Sequence, residues 1–146
     1  MTDGFTVSRF IAAPRELVWQ AWTTPEHFAA WFGTEAIEVP LETVVLDVRP
    51  GGKMALVMLL PDGNRMEWFG EYSVVDRPSR LEYWLSDGPP IEGLDPVVVT
   101  FDEVEAGTQL TLFQPRYGFT DEQMDATAAG YGSFFDSLEH VVASLK

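Results

Sequence analysis

Residues 14–32 read PRELVWQAWTTPEHFAAWF, and this stretch decides the fold because it holds two short helix signals back to back near the N-terminus. Pro14 and Pro25 each suit the first turn of a helix, where a missing N–H costs nothing, and Thr24 suits the cap of the second helix. Gly33 then marks its end. Within the pair, Trp19 and Trp31 are expected in the core.

Downstream of this pair the apolar residues fall at period two between turn signals, which is the pattern of strands. After Gly51 and Gly52, residues Met54, Leu56, Met58 and Leu60 share one parity, and the sequence 61–64 (PDGN) turns the chain. Trp68, Gly70, Tyr72 and Val74 are expected on one face of the next strand, with Glu67, Glu71 and Ser73 on the other. Leu81, Tyr83 and Leu85 continue the inward set. Val97, Val99 and Phe101 lead into a hairpin at Ala106 and Gly107, from which Leu110 and Leu112 return. One face of this sheet is rich in aromatic and methionine side chains, so something must cover it.

The C-terminal segment supplies the cover. Thr120 followed by Gln123 is a capping-box pattern, and Asp121, Glu122 and Asp125 put negative charge beside the positive end of the helix dipole. From there Met124, Ala128, Tyr131, Phe135, Leu138, Val142 and Leu145 recur at steps of three and four residues, and the stripe predicts a helix over 120–145. Gly130 and Gly132 interrupt it. Each costs about 1 kcal/mol against alanine in a helix interior, so the small-residue stretch 126–132 predicts either a bend or open space beside the sheet.

Arg9 with Ala13 and Pro14, then Val18, Trp19 and Ala21, then Thr24, Pro25, Glu26, Trp31 and Phe32 resemble, in order and spacing, the opening pattern of the heat-shock protein 90 ATPase activator homologue family, within the START-like (SRPBCC) superfamily. The run DVRPGG at 47–52 matches its strand-turn signature. Asp62 with Gly63, GEY at 70–72, Arg80 with Leu81, and GTQLTL at 107–112 match its later motifs, so the likeness spans essentially the whole chain. The resemblance implies an α+β, START-like helix-grip fold: a curved antiparallel sheet of about six strands wrapped round a long C-terminal helix, with two short helices after the first strand. It also implies two functions found on this architecture, ligand binding between sheet and helix and, from the family name, stimulation of a chaperone ATPase in the stress response. One departure bears on a pocket: where the family's final helix usually carries Gly-Trp, this chain has Ser133 and Phe134.

Composition narrows the function. The chain has 146 residues, expected to form a single domain over 1–146, with 46% hydrophobic and 22% charged residues, as in ordinary globular proteins. With 23 acidic against 9 basic side chains the net charge is −14, and nucleic acid is an unfavourable partner because its affinity depends on basic groups that release counterions. The acids read as solubilising, with Glu35, Glu38 and Glu42, or Asp102, Glu103 and Glu105, as an alternative docking face for a basic protein. No apolar run approaches the roughly 20 residues of a membrane span. The first residues lack a signal peptide's basic start, so the expected compartment is the cytoplasm. There is no cysteine, which removes disulfides and thiolate chemistry.

No catalytic constellation emerges. The two histidines, His27 and His140, have no partner spacing that suggests a metal or a base, and the chain lacks a Gly-Xaa-Ser-Xaa-Gly elbow. No catalytic residue, metal or cofactor is expected. A cyclase or hydrolase type of enzyme on the same fold stands as an alternative, without a nameable base. The inward residues Met54, Met58, Trp68, Tyr72, Tyr83, Met124, Tyr131 and Phe135 instead read as the walls of one chamber for a small apolar or amphipathic molecule, with Gln114 and Arg116 near its polar end. The same side chains also suit plain core packing. Residues 87–96 (DGPPIEGLDP) form an irregular stretch in which Ile91 and Leu94 suit the rim of such a pocket or an anchor for the loop. A chaperone remains the other expected partner.

Overall fold

The computed structural model describes residues 4–32, 37–86, 95–116 and 119–146. The expectations placed on Gly33, Glu35, Ile91 and Leu94 lie outside the described residues. Strand β1 (Gly4–Ile11) is followed by helices α1 (Arg15–Thr23) and α2 (Pro25–Phe32). Then come β2 (Val45–Leu46), β3 (Lys53–Leu59), β4 (Arg65–Asp76), β5 (Arg80–Ser86), β6 (Val97–Val104) and β7 (Gly107–Pro115), and finally α3 (Asp121–Ser144).

Among the described residues seven strands form one antiparallel sheet in the order β1-β7-β6-β5-β4-β3-β2. The strands expected from alternation are all present, and the seventh is β2, a two-residue edge strand too short to leave a period-two signal. It reaches β3 through a tight turn in which Gly51 has φ +82°, and a Cβ at Gly52 would lie 1.8 Å from the carbonyl oxygen of Asp47, so both positions require glycine. At the far side of the sheet β6 and β7 meet in a two-residue hairpin, Val104 opposite Gly107, with Ala106 in the left-handed region at φ 69°.

Alternation predicts the inward face correctly up to one point on β4. Tyr72 pairs with Tyr83, but the register then shifts, so that Val74 lies opposite Glu82 and Val75 opposite Leu81. The extra residue of this bulge flips the parity. Val75, rather than the expected Val74, therefore packs against the core.

Helix α1 begins one residue later than its proline suggested. Pro14 is the N-cap, with its carbonyl accepting from the Leu17 N–H at 3.0 Å, whereas Pro25 is the first residue of α2. Both helices turn aromatic rings inward. Trp22 and Trp31 stand 4.7 Å apart between centroids, Phe28 stacks on Phe32 at 4.7 Å, and Trp19 and Trp22 meet Phe101 of β6 edge-on. The Trp31 indole donates to the Ala21 carbonyl at 2.8 Å, which satisfies the one polar atom that its full burial would orphan.

Helix α3 starts at the predicted capping box. The Gln123 N–H donates to the Thr120 hydroxyl at 3.1 Å, and the Thr120 N–H donates to the Gln123 side-chain oxygen at 2.9 Å. Phe135, Leu138 and Val142 are buried in the main core with Trp19 and Trp31, as their spacing requires. Among the described residues no helix is long and apolar enough to cross a membrane.

Candidate functional site

A cavity of about 300 Å³ lies where the N-terminal half of α3 crosses the sheet. Its floor comes from Met58 on β3, Trp68 on β4, Tyr83 and Leu85 on β5, Val97 on β6 and Gln114 on β7. Its roof comes from Thr127, Gly130, Tyr131 and Phe134 of α3, and Phe32 and Phe119 close two sides. The floor residues belong together because successive antiparallel pairings bring one end of each strand to one edge of the inward face. On the roof, Thr127, Gly130, Tyr131 and Phe134 follow the three- and four-residue steps of one helical face.

Of the eight residues expected to form one chamber, Met58, Trp68, Tyr83 and Tyr131 line this cavity. The others are packed elsewhere. Met54, Tyr72 and Phe135 are buried in the main core beyond it. Met124 is buried near the start of α3, outside that core. The reason is the same in each case: parity puts a side chain on the inward face, but only the local gap between helix and sheet decides whether it meets another side chain or open space. Gly130 supplies part of that gap. A Cβ built on it meets no atom within 4 Å. Gly132, in the same small-residue stretch, does not line the cavity, and its carbonyl faces Arg9 of β1 at 3.4 Å.

The lining includes residues that strand and helix spacing did not single out as walls. Phe32 arrives from the end of α2 and stacks on Phe134, with centroids 4.8 Å apart and planes 14° from parallel. Phe134, read from the sequence as a departure from the Gly-Trp of the family it resembles, forms this part of the wall. Phe119 comes from the loop before α3, and no periodicity marks it.

Polar groups on the walls are few. Gln114 is 7% exposed; its Oε1 accepts from the Tyr131 hydroxyl at 3.1 Å, and its Nε2 donates to the Pro115 carbonyl at 3.2 Å. The Thr127 hydroxyl donates to the Gln123 carbonyl of its own helix. The Trp68 Nε1–H is buried without a hydrogen-bond partner. Arg116, expected near a polar end, pairs with Asp121 at 2.8 Å and donates to the Phe119 carbonyl at 3.0 Å. Among the described residues that line the cavity none is Asp, Glu, Lys, Arg or His, and no cluster of described residues could hold a metal ion.

Tyr72 adjoins the cavity through Tyr83, with ring centroids 6.3 Å apart. Burial, and then the charge of Asp47, push its hydroxyl well above the ordinary tyrosine range, so it stays neutral. That hydroxyl also has no hydrogen-bond partner.

A family model described as "Activator of Hsp90 ATPase homolog 1-like protein" matches residues 12–143. Among solved structures, a protein from Rhodobacter sphaeroides shares 21% identity with a TM-score of 0.81, covering 97% of this chain and 92% of its own. An AHSA1-like protein from Aeromonas hydrophila shares 23% identity with a TM-score of 0.77, covering 97% and 94%. A protein of unknown function from Staphylococcus aureus shares 22% identity with a TM-score of 0.74, covering 99% and 95%. These likenesses extend the helix-grip fold to this chain. No curated protein matches it.

Proposed function

The chain belongs to the family of Activator of Hsp90 ATPase homolog 1-like proteins, and from that premise we propose that it binds a small, largely apolar molecule between α3 and the sheet. The observation that carries this reading is a cavity of about 300 Å³ with mainly aromatic and aliphatic walls, set beside the buried core. Binding sites for small molecules have this character: a preformed concave space, apolar walls and a few placed polar groups. The roof glycine supports it further. In a helix packed only for stability, alanine at position 130 would fit without contact and would favour the helix.

The test is a fluorescence titration with apolar aromatic and acyl probes. Trp68, on the cavity floor, is expected to report binding, so Trp68→Phe should remove most of the emission change while leaving affinity largely intact. Gly130→Leu should place a side chain in the cavity and abolish binding, with circular dichroism showing a retained fold. Equal binding by wild type and Gly130→Leu would count against the site. Native mass spectrometry of protein purified without detergent would identify a retained guest directly.

The family description favours a second reading, stimulation of a chaperone ATPase. Glu38, Glu42, Asp102, Glu103 and Glu105 are all exposed, as a surface that meets a basic partner requires. Addition of the protein to a purified chaperone of this class should then raise ATP turnover in a salt-sensitive manner, independent of Gly130→Leu.

A further inference from the structure

The polar atoms of the cavity specify the class of its guest, an argument that rests on the binding reading above. The Pro115 carbonyl can only accept, so the end of the Gln114 amide that faces it is the nitrogen; the Tyr131 hydroxyl then donates to the oxygen. An amide nitrogen carries two hydrogens, and the structure gives Nε2 one acceptor. Its second N–H is therefore a spare donor on a side chain that is 7% exposed. Trp68, on the same floor, adds an indole N–H without a partner. These two N–H groups are the spare donors found on the described walls.

Charge adds a second restriction. No described lining residue is acidic or basic, and Arg116, two positions beyond Gln114, is engaged by Asp121 and Phe119. An ionised guest would lose its hydration here without gaining a counter-charge, which costs far more than an unmade neutral hydrogen bond. The net charge of −14 further opposes the approach of an anion.

We infer that the guest is a neutral apolar molecule carrying a carbonyl-type hydrogen-bond acceptor, seated on the spare N–H of Gln114, and that the site rejects carboxylates of the same shape. A buried donor left unmatched is costly, so the acceptor adds selectivity as well as affinity.

Three probes of nearly one shape separate these effects: 2-acetylnaphthalene, which is neutral with an acceptor; 2-isopropenylnaphthalene, in which CH₂ replaces the oxygen; and 2-naphthoate, which is ionised. Equilibrium dialysis at pH 7 should show the ketone bound roughly three- to tenfold more tightly than the alkene, the range one net hydrogen bond supplies. The naphthoate should bind at least about a hundredfold more weakly than the ketone. Gln114→Leu should cancel the ketone's advantage over the alkene. The order of the three probes on the wild-type protein tests the inference even if that variant does not fold. Equal binding of ketone and alkene, or naphthoate as tight as the ketone, overturns the inference and leaves the binding reading standing. Failure of all three to bind, with no guest retained on detergent-free protein, overturns both.

Discussion

The two halves of α3 share one continuous helix and one apolar stripe, yet they rest on different ground. In the C-terminal half, Phe135, Leu138 and Val142 are buried against the sheet and the aromatic cluster of α1 and α2. That half is also tied to β1, where Arg9 bridges Asp136 at 2.9 Å and Glu139 at 3.2 Å. In the N-terminal half, Met124 is the buried side chain, and Thr127, Gly130 and Tyr131 look onto the cavity. Regular spacing alone therefore does not make a packed interface. Side-chain volume decides it: Phe, Leu and Val fill the space at 135, 138 and 142, whereas Gly130 leaves it open.

The comparison is broken most directly at Leu138, which is fully buried. Leu138→Ala is expected to lower unfolding free energy by about 2–5 kcal/mol in denaturant titration. A loss below roughly half a kcal/mol would mean that the C-terminal half is not the anchored one.

Filling the helix backbone of the other half should act in the opposite direction. Gly130→Ala and Gly132→Ala are each expected to stabilise by up to about 1 kcal/mol, because alanine favours the helix and a Cβ at either position meets nothing within 4 Å. Amide exchange should slow mainly over 121–132, with little change over 135–144. Destabilisation by either variant would show that the glycines answer a packing demand.

The smallest effect at neutral pH is expected at Tyr72, which lies next to the cavity wall and is 1% exposed. Its folded-state pKa is raised, first by burial and then by Asp47. The folded protein therefore holds this proton more tightly than the unfolded chain, whose tyrosines ionise near pH 10. The corresponding stability is complete below that pH and declines as pH rises above it. Tyr72→Phe should change stability by no more than about 1 kcal/mol at pH 7, since its hydroxyl makes no hydrogen bond. Above pH 10 the variant should lose stability less steeply than the wild type, measured by thermal unfolding across the alkaline range. Parallel curves for the two proteins would refute the assignment of alkaline sensitivity to this residue.

Much of the architecture was legible because its signals are local. Thr120 and Gln123 marked the start of α3 through a reciprocal cap, and the alternation at Met54, Leu56 and Met58 gave the inward face of β3. The bulge after Tyr72 was not legible. Nothing in SVV at 73–75 distinguishes an unbroken strand from one with an extra residue, and the pairing with Glu82 and Leu81 decides it. The candidate site was half legible for a related reason. Met58, Trp68, Tyr83 and Tyr131 follow from parity and helical spacing, whereas Phe32 and Phe119 reach the cavity through the relative placement of separate elements.

By itself the sequence determined the order of helices and strands, the face each turns inward, the cap of α3 and the acidic, cysteine-free chemistry of the chain. Those properties depend on residues within a turn or a strand of one another. Only the tertiary structure decided which inward side chains pack and which border open space, and which way the Gln114 amide faces. These depend on the stand-off of α3 from the sheet, a distance set by many contacts remote in sequence and therefore carried by no single motif.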